Sequence, residues 1–336
     1  MIEGIVLAIG AGLMLGLYAL PEKFTKDFKF ENTWGLFFML TMFLVPIVAS
    51  VTLINDFGAV FAAVPSDVLL KMAGASFLWG IGVMMWGKAI NHIGLSLGFS
   101  LFIGTVILVG SVLPFLVDGV PEGNTFYTIL GGIFVVLIGV LFNGKAGLTR
   151  EADERKADTK DGKGSMVTGI LIAVVGGLLA TGFSYANAIG RPVIHEACQA
   201  AGNPEWVTAV GVMFPIFISG GIVMAAYFAQ QLTAKKAWAD FKSPSFGKNF
   251  TLILVMAIFH YAASALFAFA AFKLGDIGNT VGYAIFNTSC VATAIVSGIV
   301  TKEWINASSK AKNYLYISLA CMIFGIVIIA VGNGIA

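Results

Sequence analysis

Ile93 to Phe102 reads IGLSLGFSLF, and Ile277 to Phe286 reads IGNTVGYAIF. Both follow I-G-x-x-(L/V)-G-(F/Y)-x-(L/I)-F, and each opens a long apolar run. An upstream echo accompanies them: Gly4-Ile5, Ala8 and Gly12-Leu13 match Gly169-Ile170, Ala173 and Gly177-Leu178. A chain that repeats itself once in this way is expected to fold as two related halves. The apolar runs are about 20 residues long, enough to cross roughly 30 Å of hydrocarbon. A duplicated bundle of membrane helices places a site between its halves and opens it in two directions, the organisation of many secondary transporters.

Composition supports the membrane reading. The 336 residues are 58% hydrophobic and 11% charged, whereas about a quarter of a soluble domain is charged. A net charge of +2 argues against nucleic acid as a partner. Cys198, Cys290 and Cys321 are too widely spaced for a disulfide framework or a CxxC metal site. Met1-Ile2-Glu3 lacks the basic start of a cleaved signal peptide, so the first apolar segment is expected to be retained.

The runs predict an all-α integral membrane protein with ten transmembrane helices, at about 2–20, 33–54, 68–90, 94–118, 125–145, 166–188, 206–231, 249–273, 278–301 and 314–335. They are continuous rather than alternating, which suits helices and not barrel strands, because every backbone polar group in a bilayer needs an internal partner. Of the 20 lysines and arginines, all but Lys71, Arg191 and Lys273 fall in the loops after odd-numbered helices. Basic loops stay cytoplasmic, so both termini are expected outside. Five helices per half is an odd number, and the second half then enters the membrane inverted. The division is 1–145 for the first repeat, 146–165 for a charged linker and 166–336 for the second repeat. Gly94-xxx-Gly98 and Gly278-xxx-Gly282 fall on equivalent helices 4 and 9, where small residues let backbones approach closely.

Enzymatic signatures are missing. Gly10-Ala11-Gly12 with Gly16 has the wrong spacing for a dinucleotide loop, and no P-loop occurs. No cofactor or metal is expected. Polar groups inside the spans are the better guide, because they are costly in a bilayer and tend to face a cavity. His260 is the one titratable Asp, Glu, Lys, Arg or His near the middle of a predicted span, and its ordinary pKa of about 6.5 suits a proton relay. A neutral imidazole bonded between helices is the structural alternative. Asn287 is a mid-helix amide. Trp79 and Trp86, seven residues apart, share one helix face, and an aromatic face stacks on the C–H side of a sugar ring. Trp86 equally suits the interfacial aromatic belt. Tyr18, Tyr185, Asn187 and Tyr261 bring phenols and an amide that need partners, as does Tyr283. Glu22 and Glu303, at cytoplasmic helix ends, read as solvated or salt-bridged carboxylates. His195 and Glu196 are placed in the outer loop after helix 6.

Several patches resemble the L-rhamnose–proton symporter family, within the drug/metabolite transporter superfamily. They are Tyr18-Ala19 with Pro21, Lys23, Glu31 and Trp34; Trp79-Gly80-Ile81-Gly82 with Gly87; Gly94, Ser96 and Gly98; Ser184, Asn187, Pro192 and His195-Glu196-Ala197; and Lys302-Glu303-Trp304 with Asn306-Ala307. Val83-Met84-Met85-Trp86 departs from the family's polar residues at that place, which leaves the sugar itself open. The resemblance implies a protein of the bacterial inner membrane that imports a monosaccharide with a proton, sodium being the alternative ion. On this reading Tyr18, Trp79, Trp86, Tyr185, Asn187, Tyr261 and Asn287 bind sugar. His260, His195, Glu196 and Glu303 are the candidates for the proton. A drug or metabolite exporter of the same superfamily, or a membrane enzyme on lipid-linked substrates, is the rival expectation.

Overall fold

A computed structural model describes residues 2–93, 95–113, 123–155, 166–275 and 278–334. Among them the fold is helical throughout: α1 (Ile2–Leu17), α2 (Phe30–Leu53), α3 (Ser66–Ile93), α4 (Leu95–Val112), α5 (Asn124–Arg155), α6 (Met166–Ala200), α7 (Val207–Ala234), α8 (Phe246–Lys273), α9 (Gly278–Val300) and α10 (Ser309–Gly334). Nine helices among the described residues are long and apolar enough to cross a membrane, and α4 adds the shorter apolar stretch Gly98–Val112. Large apolar side chains such as Phe134, Leu141, Phe324 and Val327 point outward. In water so much exposed apolar surface would drive aggregation, whereas in lipid it is the expected outer face. The chain is a multi-pass membrane protein.

Two boundaries differ most from the sequence expectation. α5 continues past 145 to Arg155, because AGLTREADER is rich in helix formers and nothing in it breaks the ladder. α6 does not stop at 188. It breaks at Thr181, whose hydroxyl donates to the Leu178 carbonyl, and resumes from Gly182 to Ala200. Pro192 lies inside that second segment, which continues because Ile194, Ala197 and Cys198 are buried in the bundle. His195 and Glu196 are therefore helical residues, not loop residues. The linker residues 156–165, Gly94 of the first glycine pair and the Ile277 that opens the second motif lie outside the described residues.

The helices pack as partners. α1 lies along α8 and α9, α6 lies along α3 and α4, and α5 lies along α10. α1 runs antiparallel to α8, since Gly4 meets Ala270 and Leu274 while Gly10 meets Leu266. α6 runs antiparallel to α3 in the same manner, with Gly169 against His92 and Ile93 and Gly176 against Met85. The closest crossings need glycine. A Cβ on Gly12 would lie 2.6 Å from the Phe286 carbonyl oxygen and 2.5 Å from Ser289 Cβ. On Gly177 it would lie 2.8 Å from the Phe102 carbonyl oxygen and 2.7 Å from Thr105 Cβ. Gly278 packs on the end of α8, its Cβ position overlapping the Ala271 carbonyl.

Two buried asparagines fasten the loops. Asn249 accepts the Lys26 backbone N–H at 3.1 Å and donates to the Lys26 carbonyl at 2.7 Å, joining the α1–α2 loop to the start of α8. Asn203 accepts the Asn55 N–H at 2.7 Å and donates to its carbonyl at 3.1 Å, joining the α6–α7 loop to the α2–α3 loop. Each amide bonds both backbone groups of one residue, so losing either removes two part-buried hydrogen bonds that hold a pair of loops together.

Candidate functional site

α2 and α9 each contain a single wide π turn, Leu40–Leu44 and Gly278–Gly282. Such turns are rare and cluster at functional sites, because they turn a side chain out of the helical register. Each here carries a polar contact to another helix. Thr41 Oγ1 lies 3.2 Å from His260 Nδ1 and donates to the Ala257 carbonyl, also at 3.2 Å. With its one proton on that carbonyl, the hydroxyl accepts from Nδ1–H and leaves Nε2 as the imidazole's basic nitrogen. Asn279, in the second π turn, accepts from Asn187 Nδ2 at 2.6 Å, and both amides are buried. Asn187 Oδ1 is buried without a hydrogen-bond partner in the structure.

Around His260 an aromatic basin forms. Its ring is 5.0 Å from Tyr18, 5.4 Å from Phe37 and 5.7 Å from Phe217. Phe217, on α7, also meets Tyr261 at 5.1 Å and Trp79 at 5.5 Å, and Trp79 meets Phe183 at 5.2 Å. Helices α2, α3, α6, α7 and α8 thus converge with the end of α1. Tyr18, Trp79 and His260 are partly exposed, while Phe37, Phe183 and Phe217 are buried. Such a cluster combines flat apolar faces with a few phenol, hydroxyl and imidazole groups, the kinds of group that line small-molecule sites.

The structure brings together Tyr18, Trp79, Tyr261 and His260, and it attaches Asn187 to the basin through Phe183, one turn earlier on α6. The other candidates fall elsewhere. Trp86 meets Phe99 and Phe102, both at 6.0 Å. Tyr185 is half-buried with Lys71 as an electrostatic neighbour. Asn287 Nδ2 donates to the Tyr283 carbonyl of its own helix at 2.9 Å. The Tyr283 ring lies 5.5 Å from Phe267 and 6.5 Å from Phe183. His195 Nδ1 is 3.0 Å from Thr208 Oγ1, near the far end of α6, and the neighbouring Glu196 is exposed. Among the described residues no group of His, Cys, Asp and Glu is placed to hold a metal.

Glu303 lies beyond α9, where it is bonded to Lys23 and to Thr301. The Lys23 ammonium holds its carboxyl below the usual glutamate range. A lowered carboxylate pKa stabilises the fold above the unfolded value, about 4.3, and that contribution is lost as pH falls through the folded value. Both side chains are 43% exposed, so the effect on overall stability is small. Amide exchange at 298–304 is therefore expected to quicken as pH falls below about 4, beyond its intrinsic pH dependence. Glu303→Gln is expected to show that faster exchange already at pH 7.

Sequence reasoning missed Thr41, Phe37, Phe217 and Asn279. Phe37 and Phe217 are two of 28 phenylalanines, and nothing in a sequence separates a basin phenylalanine from a packing one. Asn279 stood inside the quoted IGNTVGYAIF motif and was the legible signal.

A lipid-facing helical bundle with a mixed aromatic and polar basin inside it is a form that membrane carriers take. Residues 1–336 match the family model described as L-rhamnose-proton symport protein, and the chain belongs to that family. It is a transporter family, not an enzyme family. A protein of Klebsiella pneumoniae named L-rhamnose-proton symporter is 27% identical over 339 residues, covering 98% of this chain and 96% of its own. Proteins of the same name from Salmonella paratyphi A and Salmonella typhi are 28% and 27% identical, each with the same coverage of both chains.

Proposed function

We propose that this protein imports L-rhamnose, or a closely related monosaccharide, together with a proton across the bacterial inner membrane. The reading rests on family membership and, above all, on the aromatic basin, to which both halves of the chain contribute. Tyr18 and Trp79 come from the first half; Phe217, His260 and Tyr261 come from the second. Trp79 and Tyr18 offer ring faces to the C–H surface and methyl group of a 6-deoxy sugar, while His260 Nε2 and the Asn187 amide take its hydroxyl groups. His260 also carries the coupling proton in this scheme. His195, Glu196 and Glu303 lie outside the basin and would act at the two ends.

Alternating access follows from two inverted five-helix repeats, 1–145 and 166–336, joined by the linker 146–165. Ten crossings with both termini outside agree with the basic loops. The glycine crossings support the repeat. Gly12 and Gly177, equivalent in the sequence echo, rest on Phe286 and Phe102, the last residues of the two equivalent motifs. Helix partners exchange in the same sense, α1 with α8 and α9 matching α6 with α3 and α4.

A ligand that binds the folded state raises its stability by mass action. L-rhamnose is expected to raise the thermal midpoint of the purified protein, where disaccharides of equal concentration do not. Absence of any shift across a panel of monosaccharides would count against a sugar site.

A further inference from the structure

We infer that Glu22 is a second proton-binding group of the transport cycle, through which His260 exchanges its proton with water at the Lys23–Glu303 end of the molecule. The inference rests on the proton-symport reading above. Five carboxylates of the described structure lie against a lysine: Glu303 with Lys23, Glu31 with Lys235, Asp240 with Lys29, Asp67 with Lys71 and Glu205 with Lys273. Glu22 differs. Among the described residues it makes no ion pair, and its Oε1 accepts from the neutral indole Nε1–H of Trp34 at 2.7 Å. An indole is a donor only and carries no charge. It can bond the carboxylate or the carbonyl oxygen of the protonated acid, so the group is held in place in both protonation states. A lysine partner strongly favours one of them.

Position points the same way. Glu22 is half-buried in the short turn Leu20–Phe24, whose shape is fixed by Thr25 donating twice, from N–H and hydroxyl, to the Glu22 carbonyl. It follows Tyr18 by four residues, and Tyr18 is a neighbour of both groups. Its ring lies 5.0 Å from His260, and Glu22 is one of its electrostatic neighbours. The other groups facing this region are Lys23, engaged by Glu303 and Thr301, with Arg150 beyond Glu303; Trp34 from α2; Cys290 from α9; and His260 from α8, where Asn249 is occupied by Lys26. None of the cations pairs with Glu22. In the inferred step the His260 imidazolium gives up its proton and the Glu22 carboxylate takes it, leaving imidazole and carboxylic acid. The acid then releases the proton to water and returns to carboxylate.

The experiment uses the full-length protein in proteoliposomes and two assays with radiolabelled L-rhamnose. Counterflow exchanges sugar for sugar without net proton movement, whereas accumulation is driven by an imposed pH gradient. Glu22→Gln is expected to keep counterflow and to lose accumulation by a factor on the order of 10 to 100, the usual range for coupling between two ligand sites. Glu22→Asp should restore part of the accumulation. Undiminished accumulation by Glu22→Gln overturns the inference, as does loss of counterflow and accumulation together, which would mark a structural or sugar-binding residue. A wild-type protein with counterflow but no response to the gradient would instead remove the proton-symport reading itself.

Discussion

His260→Gln is expected to abolish pH-gradient-driven accumulation of L-rhamnose while the protein still binds the sugar. Glutamine keeps a side-chain amide that can donate to Thr41, and it nearly fills the imidazole's place between Tyr18, Phe37 and Phe217. It has no basic nitrogen to take a proton, whereas an imidazole has one. A proton raises transport only by favouring one opening of the carrier over the other, and a group that no longer titrates removes that bias. The coupling between sugar and proton is then lost, a fall on the order of 10- to 100-fold in driven accumulation. Sugar-induced thermal stabilisation should survive in weakened form. A variant that accumulates sugar as well as the parent would exclude His260 as the proton site, and a variant that neither binds nor folds would assign it to packing.

Gly12→Val and Gly177→Val should damage the protein to a similar degree. Each valine would force a Cβ to within 2.8 Å of a carbonyl oxygen in the neighbouring helix, with a Cβ of Ser289 or Thr105 equally close. Overpacking of this kind costs about 1–3 kcal/mol even where the surroundings can shift, and helix backbones shift less readily than side-chain ends. The thermal midpoint in detergent should fall by several degrees in both variants, against little change for a valine at Gly74, whose Cβ would meet open space. Similar losses at positions so far apart in the chain are what two equivalent halves require. Tolerance at one site and collapse at the other would argue that the crossings are not equivalent.

Much of the fold was legible because a bilayer imposes simple rules. Runs near 20 apolar residues anticipated the nine long apolar helices among the described residues, and Gly12 and Gly177 of the sequence echo sit where helices nearly touch. The misplaced stop after helix 6 has a physical origin. Arg191-Pro192 reads as a break, yet buried Ile194, Ala197 and Cys198 hold that segment in the bundle as helix. The site was legible only in part. His260, Tyr18, Trp79 and Tyr261 stood out as polar or amphipathic side chains in apolar runs; His260, Trp79 and Tyr261 pack on Phe217, and Tyr18 packs on His260. Thr41 and Asn279 owe their positions to π turns, which leave no periodic signature in a sequence. Asn287, prominent in the sequence, instead bonds to the backbone one turn before it. Carboxylates at helix ends looked alike until their partners were visible, with Glu303 on a lysine and Glu22 on an indole.

Transport by the purified protein, reconstituted alone, is the most direct test of a sugar–proton carrier. With an acidic exterior imposed across sealed vesicles, L-rhamnose should concentrate inside well above its external level, and collapsing the gradient with a protonophore should return it to equilibrium. Accumulation that ignores the protonophore and follows a sodium gradient instead, or no sugar movement at all, would contradict a proton-coupled basin centred on His260.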